Sequence, residues 1–324
     1  MILAIPPRII HRVQSLDLSL REDISNREIG ALLSRTLLLG GKRFRPLLTY
    51  AMGDFFELPL EDVEVFARTI EFTHSATLAH DDVIDRAHKR RGAPTLNALA
   101  SNKKAILSGD YLLAEAMLEL SREGDIRLVQ ELSGVLQDLV DGEWLQMQNT
   151  LDQDLYRDQI ERVARKKTAS TITWCCLAPA IKANASKEVL SLVRSFGTQL
   201  GLAFQEIDDA IDFAGDSQDK GRFQDMQNGI MNVVAYTLVE NDPLLREKML
   251  GHDWARTDMA PPWSEAQLEK ALAQVRQRAH IRLDGCRANL ERILELEGRS
   301  EGKRARSSLC AMEAIIGFLA DRTK

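Results

Sequence analysis

Two clusters of aspartates, each inside a run with helical periodicity, constrain this chain more than any other feature. Residues 81–85 and residues 208–212 both read D-D-x-x-D. Because residues four apart share one face of a helix, the first and last aspartates of each cluster would point the same way. One such cluster alone would more often be a solvated helix face, but apolar residues surround both of these. Carboxylates among apolar residues need countercharges, and Mg²⁺ is the simplest one because it binds carboxylate oxygens, water and phosphate.

Composition limits the classes of protein that fit these clusters. The chain has 324 residues, 44% of them hydrophobic, and a formal net charge of -6, so it is long enough for one large core. We expect a single domain over residues 1–324, with an irregular insertion at about 249–264. The mild acidity argues against nucleic-acid binding, and no apolar run is long enough to cross a bilayer.

The cysteines and the first residues favour a cytoplasmic protein. The four cysteines form no C-x-x-C pair, and adjacent Cys175 and Cys176 have poor geometry for a disulfide. Reduced thiols packed as small hydrophobic side chains fit a reducing compartment. Residues 1–5 are apolar, but Pro6 and Pro7 follow at once and no charged segment precedes them, so we expect no signal peptide.

Nearly every long segment shows a helical period, and strand-like alternation is almost absent, which predicts an all-α fold. The predicted helices are residues 26–39, 60–80, 96–120, 125–148, 154–182, 187–214, 230–247, 264–297 and 303–322. Helix bundles commonly build polar sites from side chains on facing helices. We therefore expect one bundle in which the aspartate clusters form such a site.

Basic residues with two glycines form the next signal. Residues 40–46 read G-G-K-R-F-R-P, in which glycine lets backbone N–H groups approach an anion and Pro46 suits the first position of a helix. By itself this segment could be an ordinary basic surface turn. The segment 86–95 is also strongly basic and follows the first aspartate cluster directly. It could neutralise that cluster, or it could bind a phosphate whose other side is held by metal.

The number of cations in these motifs and near the second cluster suggests two anionic ligands. These cations are Lys42, Arg45, Arg90, Arg91, Lys167 and Lys220. They carry more positive charge than one diphosphate needs, even when metal is present. Two diphosphates fit better: one bound by metal that departs, and one held by cations that stays.

Taken together, these motifs resemble the trans-isoprenyl diphosphate synthases, also called polyprenyl synthetases. The similarity runs from Gly40 to Asp225, with a weaker echo at residues 321–324. The motifs that carry it are G-K-R-x-R-P at 41–46, D-D-x-x-D at 81–85, R-R-G-x-P-T at 90–95, G-D at 109–110, G-E-x-x-Q at 142–146, K-T at 167–168 and F-Q-x-x-D-D-x-x-D at 204–212. The resemblance implies a single large helical bundle of the isoprenoid synthase type with a central cavity, and a cytoplasmic homodimer.

The resemblance also implies a reaction, a metal and roles for individual residues. The reaction is the head-to-tail condensation of isopentenyl diphosphate with an allylic diphosphate to give an all-trans polyprenyl diphosphate. About three Mg²⁺ ions per active site would ionise the allylic substrate, held by Asp81, Asp85 and Asp208 with support from Asp82, Asp209 and Asp212. The allylic diphosphate would be bound by Arg90, Lys167, Thr168, Gln205 and Lys220, and isopentenyl diphosphate by Lys42, Arg45, His74 and Arg91.

The family pattern gives Thr168 and Gln205 a second role, and it is the sole basis for the role of His74. Thr168 and Gln205 would also face the developing allylic cation, where an oxygen dipole stabilises positive charge. His74 owes its assignment to the pattern alone, since a lone histidine in a helix is more often a packed core residue.

The residues upstream of the first aspartate cluster would form the wall that sets product length. Family members that stop at farnesyl diphosphate tend to carry an aromatic residue there, whereas Ala76 and Thr77 are small. Phe72 lies one turn further along and is either a deeper floor of the product tunnel or a core residue. The resemblance therefore implies a product longer than farnesyl diphosphate, which means geranylgeranyl diphosphate or longer.

Two departures from the family pattern and two alternative functions stay open at this point. Where the family usually reads G-K-x-T-L-P, residues 229–234 read G-I-M-N-V-V, so Ile230 replaces a lysine near the diphosphate. Glu206 stands where an apolar residue is expected, and it would either face solvent or add charge near the metals. A class I terpene cyclase would share the metal chemistry but would not need the cations assigned to a second diphosphate. A non-catalytic regulatory subunit of a heteromeric synthase should have lost aspartates, and this chain keeps all six.

Overall fold

The computed structural model describes residues 5–20, 27–38, 41–90, 92–149, 157–214, 223–254, 259–298 and 303–322. These residues are mostly helical, so the predicted all-α class is confirmed. Two short antiparallel strands, β1 (Lys89–Arg90) and β2 (Ala93–Pro94), form the one sheet of the described residues. Within the same ranges no helix is long and apolar enough to cross a membrane.

The helices that precede this hairpin are α1 (Pro7–Gln14), α2 (Arg27–Arg35), α3 (Phe44–Phe55) and α4 (Leu60–Ile84). The hairpin is followed by α5 (Leu96–Leu99), α6 (Asn102–Ser121), α7 (Ile126–Gln148), α8 (Arg157–Ala164), α9 (Ser170–Lys182) and α10 (Lys187–Ala214). A five-residue π-helical turn, Arg165–Ala169, joins α8 to α9 without a break. The remaining helices are α11 (Gln224–Gln227), α12 (Val233–Asn241), α13 (Leu245–Leu250), α14 (Glu265–Leu296) and α15 (Lys303–Asp321).

Two segments predicted as single helices are each divided in the structure. The helix predicted over 96–120 is broken at Ser101, whose side chain accepts a hydrogen bond from the backbone of α6 and caps that helix. The helix predicted over 230–247 begins after Asn232, which caps α12 in the same way, and it is interrupted before α13. In both cases a small polar side chain that accepts hydrogen bonds from helix N–H groups sets the first residue of the helix, at α6 and at α12.

The largest omission from the predicted helices is α3. This helix begins at Phe44, so Pro46 is its third residue, whereas the sequence predicted Pro46 at the first position. Every residue from Pro46 to Phe55 is buried. A helix that is buried on all sides lacks the polar face that gives a sequence its helical period, which is why the period does not reveal it.

The described chain divides into two compact units, and each unit has its own hydrophobic core. The first unit consists of Met1–Leu136, Trp174–Ser191 and Glu297–Ala314. In this unit α4 packs against α3 and α6. The core that α4 shares with α6 includes Phe72, Ala76, Leu112 and Ala116. The single domain expected over 1–324 stays a prediction.

The second unit consists of Gln137–Thr173, Leu192–Leu296 and Ile315–Lys324. Its core lies where α12 packs against α14 and α8. Phe213 stacks on Trp263 with ring centroids 5.6 Å apart, and Trp263 stacks on Trp254 at the same distance. The described residues between α13 and α14 belong to the predicted irregular insertion and form neither helix nor strand.

Candidate active site

The first aspartate cluster lies at the C-terminal end of α4, because the helix predicted over 60–80 continues to Ile84. Asp82 is buried, Asp81 is half-buried, and Asp85 is the exposed C-cap residue, whose N–H donates to the Asp81 carbonyl at 2.8 Å. The C-terminal end of a helix carries a partial negative charge from its unpaired carbonyl groups. Three carboxylates at that end add to the negative charge, so the cluster favours a bound cation.

Arg90 contacts the buried aspartate of this cluster. Its Nη2 and Nε lie 2.8 and 3.0 Å from Asp82 Oδ1. The hairpin returns the chain to the helix end, where Thr95 Oγ1 and Asn97 Nδ2 both donate to the Ala87 carbonyl. The second carboxylate oxygen, Asp82 Oδ2, is buried and has no hydrogen-bond partner among the described residues. Arg90 thus neutralises part of the cluster, which is one of the two roles expected for the basic segment, and its other role, binding a phosphate, stays a prediction.

The G-D motif on α6 packs against the residue that precedes the cluster. A Cβ atom at Gly109 would lie 2.3 Å from His80 Nε2, so any larger residue there would force the His80 ring to move. The same nitrogen lies 3.2 Å from the Ile106 carbonyl and 3.3 Å from Asp110 Oδ1. Contacts from α6 therefore hold the turn of α4 that carries Asp81.

Three residues predicted to bind isopentenyl diphosphate lie in the described part of the first unit. Lys42 is exposed, while Arg45 and His74 are half-buried. Lys42 and Arg45 flank the start of α3, where helix N–H groups also favour an anion. The fourth predicted residue, Arg91, lies outside the described residues. Arg43, to which the sequence motif assigns no role, forms an ion pair with the buried Glu71.

The residues predicted to set product length lie on α4 in the core of the first unit. Ala76 and Phe72 are fully buried, and Thr77 is half-buried with its hydroxyl donating to the His74 carbonyl at 2.8 Å. The guanidinium carbon of Arg68 lies 5.0 Å from the centroid of the Phe72 ring. Phe72 therefore packs as a core residue, and its second suggested role as a tunnel floor stays a prediction.

The second aspartate cluster lies in the last turns of α10, and Asp209 is its buried member. Asp209 accepts hydrogen bonds from Gln205 Nε2 at 2.7 Å and from the Val233 N–H at 3.3 Å. Burial raises the pKa of Asp209, and the neighbouring Asp225 carboxylate raises it further, while these two hydrogen bonds act in the opposite direction. The environment therefore disfavours a lone negative charge on Asp209 and favours a compensating cation.

The other two members of this cluster, Asp208 and Asp212, are half-buried. Nη2 of Arg322, the residue that follows α15, lies 3.4 Å from Asp208 Oδ1. The Arg322 guanidinium carbon also lies 5.9 Å from the ring centroids of Phe204 and Phe318. An arginine thus contacts one carboxylate in each cluster.

Lys167 lies in the π-helical turn, a distortion that often marks functional positions. Its Nζ donates to Glu143 and, at 3.1 Å, to Gln146 Oε1. A Cβ atom at Gly142 would lie 2.7 Å from Lys167 Cγ. Gly142, Glu143 and Gln146 of the G-E-x-x-Q motif therefore bind the Lys167 side chain, and we call these three residues the Lys167 seat. Gly142 leaves room for the aliphatic part of the lysine, and Glu143 and Gln146 accept hydrogen bonds from its ammonium group.

Thr168 and Gln205 are joined directly. Thr168 Oγ1 donates to Gln205 Oε1 at 2.6 Å, and Gln205 Nε2 donates in turn to Asp209. The helices that carry these residues approach closely, since a Cβ atom at Gly201 would lie 2.4 Å from Ala169 Cα. Two residues predicted for the allylic diphosphate, Thr168 and Gln205, thus form one chain of hydrogen bonds with Asp209, which is predicted to support the metal.

Glu206, the acidic departure from the family pattern, neither faces solvent nor joins the aspartates. It is buried, and Arg282 Nε donates to its Oε2 at 3.2 Å. Burial raises the pKa of Glu206, whereas the charges of Arg282 and Arg278 lower it. Ile230, the other departure, is half-buried, and Lys220, the second predicted cation of this region, lies outside the described residues.

The aspartates suit a hard divalent cation that takes most of its ligands from water and substrate. Within the described ranges, no group of three or more His, Cys, Asp and Glu side chains lies close enough to hold a metal by itself. Mg²⁺ usually takes one or two protein carboxylates and completes its shell with water and phosphate oxygens. The carboxylates of Asp81, Asp85 and Asp208, together with the unpartnered oxygen of Asp82, are donors of this kind.

Known proteins resemble this chain over most of its length. The family model described as polyprenyl synthetase matches residues 26–259. Solanesyl-diphosphate synthase 1, mitochondrial, of Oryza sativa subsp. japonica is 36% identical over 226 residues, which cover 64% of this chain and 53% of the rice protein. A prenyl transferase of Synechocystis sp. is 33% identical over 262 residues, which cover 78% of this chain and 77% of that protein. The chain thus spans about half the length of the rice relative.

The fold is also found among solved structures. The decaprenyl diphosphate synthase from Rhodobacter capsulatus matches with a TM-score of 0.79 at 24% sequence identity, covering 98% of this chain and 97% of the other. At this identity the likeness establishes the all-α fold. The family assignment comes from the sequence, since the matched residues 26–259 contain both aspartate clusters and the Lys167 seat. This chain therefore belongs to the polyprenyl synthetase family.

Proposed function

We propose that this protein is a Mg²⁺-dependent trans-prenyltransferase that condenses isopentenyl diphosphate head-to-tail with an allylic diphosphate. The observation that carries the proposal is the arginine on each aspartate cluster, Arg90 on Asp82 and Arg322 on Asp208. These contacts indicate that both clusters demand positive charge, as sites for a metal-bound diphosphate must. The relatives named as a solanesyl diphosphate synthase and a prenyl transferase support this class of reaction.

The metal would be held by carboxylates of both clusters. When bound, Mg²⁺ neutralises and orients the departing diphosphate. About three ions per active site are proposed, as the family resemblance implies, with water and phosphate oxygens filling their shells. The proposed ligands are Asp81, Asp85 and Asp208, and the supporting carboxylates are Asp82, Asp209 and Asp212.

The allylic diphosphate is proposed to meet the Lys167 seat. Glu143 and Gln146 hold the ammonium group of Lys167, so a phosphate oxygen would find it already in place. Thr168 and Gln205, which are hydrogen-bonded to each other, would present oxygen dipoles to the carbon that becomes positive. Arg90 and Lys220 complete the proposed set.

Isopentenyl diphosphate is proposed to bind without metal, on the cations at the start of α3. Its proposed ligands are Lys42, Arg45, His74 and Arg91. The carbon–oxygen bond of the allylic substrate breaks, a carbon–carbon bond to the isopentenyl unit forms, and one proton leaves that unit. The departing diphosphate is the proposed base for this proton.

The product is proposed to be longer than farnesyl diphosphate. Ala76 and Thr77 place no aromatic ring on the turns before the first cluster. A relative named as a solanesyl diphosphate synthase supports a long product. Chain elongation needs an apolar environment for the growing tail. It also needs water to be excluded from the reacting carbon, because water would quench an allylic cation.

We also propose that two copies of this chain form a homodimer in the cytoplasm. Val140, Trp144 and Met147 lie on one face of α7 and are 67%, 64% and 51% exposed. Contiguous exposed apolar side chains of this size are typical of protein interfaces. The four cysteines are free of disulfides, and three of them are buried, which supports a reducing compartment.

Product analysis of the purified protein tests this function. Farnesyl and isopentenyl diphosphates are incubated with Mg²⁺, and the dephosphorylated products are separated by chromatography. Products longer than farnesol are expected. A cyclase would release a cyclic hydrocarbon from the allylic substrate alone, and a regulatory subunit would give no product, so either result would refute the proposal.

A further inference from the structure

We propose that Arg43 is a positioning residue for the isopentenyl diphosphate site, acting through an ion pair with Glu71. This inference rests on the proposed function of the same site and adds residues that the family motif leaves without a role. Arg43 lies between Lys42 and Arg45, the two cations assigned to that diphosphate. Its own guanidinium is committed to contacts within the protein.

The backbone at Arg43 adopts a conformation that arginine resists. It is the N-cap residue of α3, with φ 48° and ψ 37°, in the left-handed region. A residue with a Cβ atom is strained there, and the conformation persists when surrounding contacts enforce it. Glycine or asparagine is the usual residue at such a position, so contacts of the arginine side chain must offset the strain.

The contacts that enforce this conformation come from two other segments. Arg43 Nη1 donates to Glu71 Oε2 at 2.5 Å, and Nη2 donates to the Leu38 carbonyl at 2.7 Å. The side chains of Arg43 and Glu71 are 18% and 9% exposed, so the pair is shielded from water. An ion pair in this environment is costly to break, because either charge would be left buried without its partner.

The ion pair connects two parts of the proposed site. Glu71 lies three residues before His74 on α4, and Arg43 fixes the turn that precedes α3. Burial raises the pKa of the Cys175 thiol to about 12, Arg45 lowers it and Glu71 raises it, which places both charges near one buried sulfur. Arg43 therefore orients the backbone on either side of it, and with it the side chains of Lys42 and Arg45.

Comparing the loss of isopentenyl diphosphate affinity in two substitutions at Arg43 tests this positioning role. Arg43→Ala removes the ion pair and places a Cβ residue with no support in the left-handed region. Arg43→Asn also removes the ion pair, but asparagine tolerates that region better. Titration calorimetry with isopentenyl diphosphate alone should show affinity falling by about tenfold or more in Arg43→Ala, the loss expected when a hydrogen bond from a cation to the diphosphate is weakened. The loss in Arg43→Asn should be smaller.

Two further variants separate positioning from general damage. Glu71→Gln should weaken isopentenyl diphosphate binding as Arg43→Ala does, although its side chain is not assigned to the substrate. Arg12→Gln is the matched control, because Arg12 also pairs with α4, through Glu61 and Glu64, on the surface. It should bind isopentenyl diphosphate as the wild type does. Hydrogen exchange of the amides at 41–45 should become faster in Arg43→Ala and stay unchanged in Arg12→Gln.

Steady-state kinetics separates failure of this inference from failure of the proposed function. The KM for isopentenyl diphosphate should rise in Arg43→Ala while the KM for the allylic substrate stays within about twofold. An active wild type whose Arg43→Ala and Arg43→Asn variants bind isopentenyl diphosphate with wild-type affinity would overturn the positioning role. A wild type that binds no isopentenyl diphosphate would overturn the proposed function, and this inference with it.

Discussion

Arg322 and Asp208 form an ion pair that a metal at Asp208 would have to displace. The two side chains are 22% and 45% exposed, with 3.4 Å between Nη2 and Oδ1. The ring contacts to Phe204 and Phe318 hold the guanidinium beside the carboxylate. A fixed positive charge at this oxygen competes with a divalent cation for the same lone pairs.

Removing this competitor should strengthen metal binding. We expect Arg322→Gln to bind Mn²⁺ about two- to fivefold more tightly, the range expected for a partly exposed ion pair. Paramagnetic resonance of free Mn²⁺ measures this affinity in the presence of inorganic diphosphate, which supplies the phosphate ligands of the metal. Arg287→Gln, which removes a half-buried arginine paired with the exposed Asp284, serves as the control and should leave Mn²⁺ affinity unchanged. Equal affinities in wild type and Arg322→Gln would show that the ion pair does not oppose the metal.

The seat of Lys167 predicts opposite effects for two glycines on α7. In Gly142→Ala the new Cβ atom would meet Lys167 Cγ at 2.7 Å and Lys166 Cβ at 2.9 Å, so we expect a loss of about 1–3 kcal/mol in the free energy of unfolding. In Gly134→Ala nothing lies within 4 Å of the new atom, and a gain of about 0.5–1 kcal/mol is expected from the better helix former. Urea unfolding measures both. Similar values for the two variants would contradict the close approach at Gly142.

Product length should respond to a ring placed on α4. Ala76→Phe adds an aromatic side chain at a fully buried position next to Phe72, so we expect shorter products when farnesyl diphosphate is the primer. Chromatography of the dephosphorylated products measures this. Ala67→Phe is the matched control, since Ala67 is also fully buried on α4 but lies further from the first cluster. An unchanged product in Ala76→Phe, or equal shortening in Ala67→Phe, would argue against this wall.

The cysteines predict a labelling pattern that tests the packing of both units. Burial raises the pKa of Cys175 and of Cys286 to about 12 each, and Cys176 is also buried, whereas Cys310 is exposed. Because the thiolate is the reactive form, iodoacetamide at neutral pH should modify Cys310 in the native protein and the other three after unfolding. Mass spectrometry of peptides reports each site. Labelling of Cys175 or Cys286 as fast as Cys310 under native conditions would contradict these cores.

Much of the fold and the candidate site could be predicted from the sequence because the informative residues follow helical spacing. The two D-D-x-x-D clusters lie at the ends of long helices, and the K-T motif contacts the second cluster through Thr168 and Gln205. Cys310 is the exception among the cysteines, since it is exposed and not packed as predicted. Spacing along one helix is fixed by backbone geometry, and side-chain pattern therefore reports it well.

The features that the sequence did not reveal depend on contacts between distant segments. Glu206 looked like an anomaly because its partner Arg282 lies 76 residues away on another helix. The role of Arg43 depends on a left-handed backbone that no local pattern predicts. The G-E-x-x-Q motif was identified, but its purpose as a seat for Lys167 became clear only from the close approach at Gly142.

We propose that aspartates from both clusters together hold the metal that ionises the allylic diphosphate. The most direct measurement is the rate of diphosphate release from farnesyl and isopentenyl diphosphates with Mg²⁺, in Asp81→Asn, in Asp208→Asn and in the exposed control Asp284→Asn. We predict a loss on the order of 100- to 1,000-fold in each of the first two variants and wild-type release in the third. Release at the wild-type rate in either Asp81→Asn or Asp208→Asn would contradict the account.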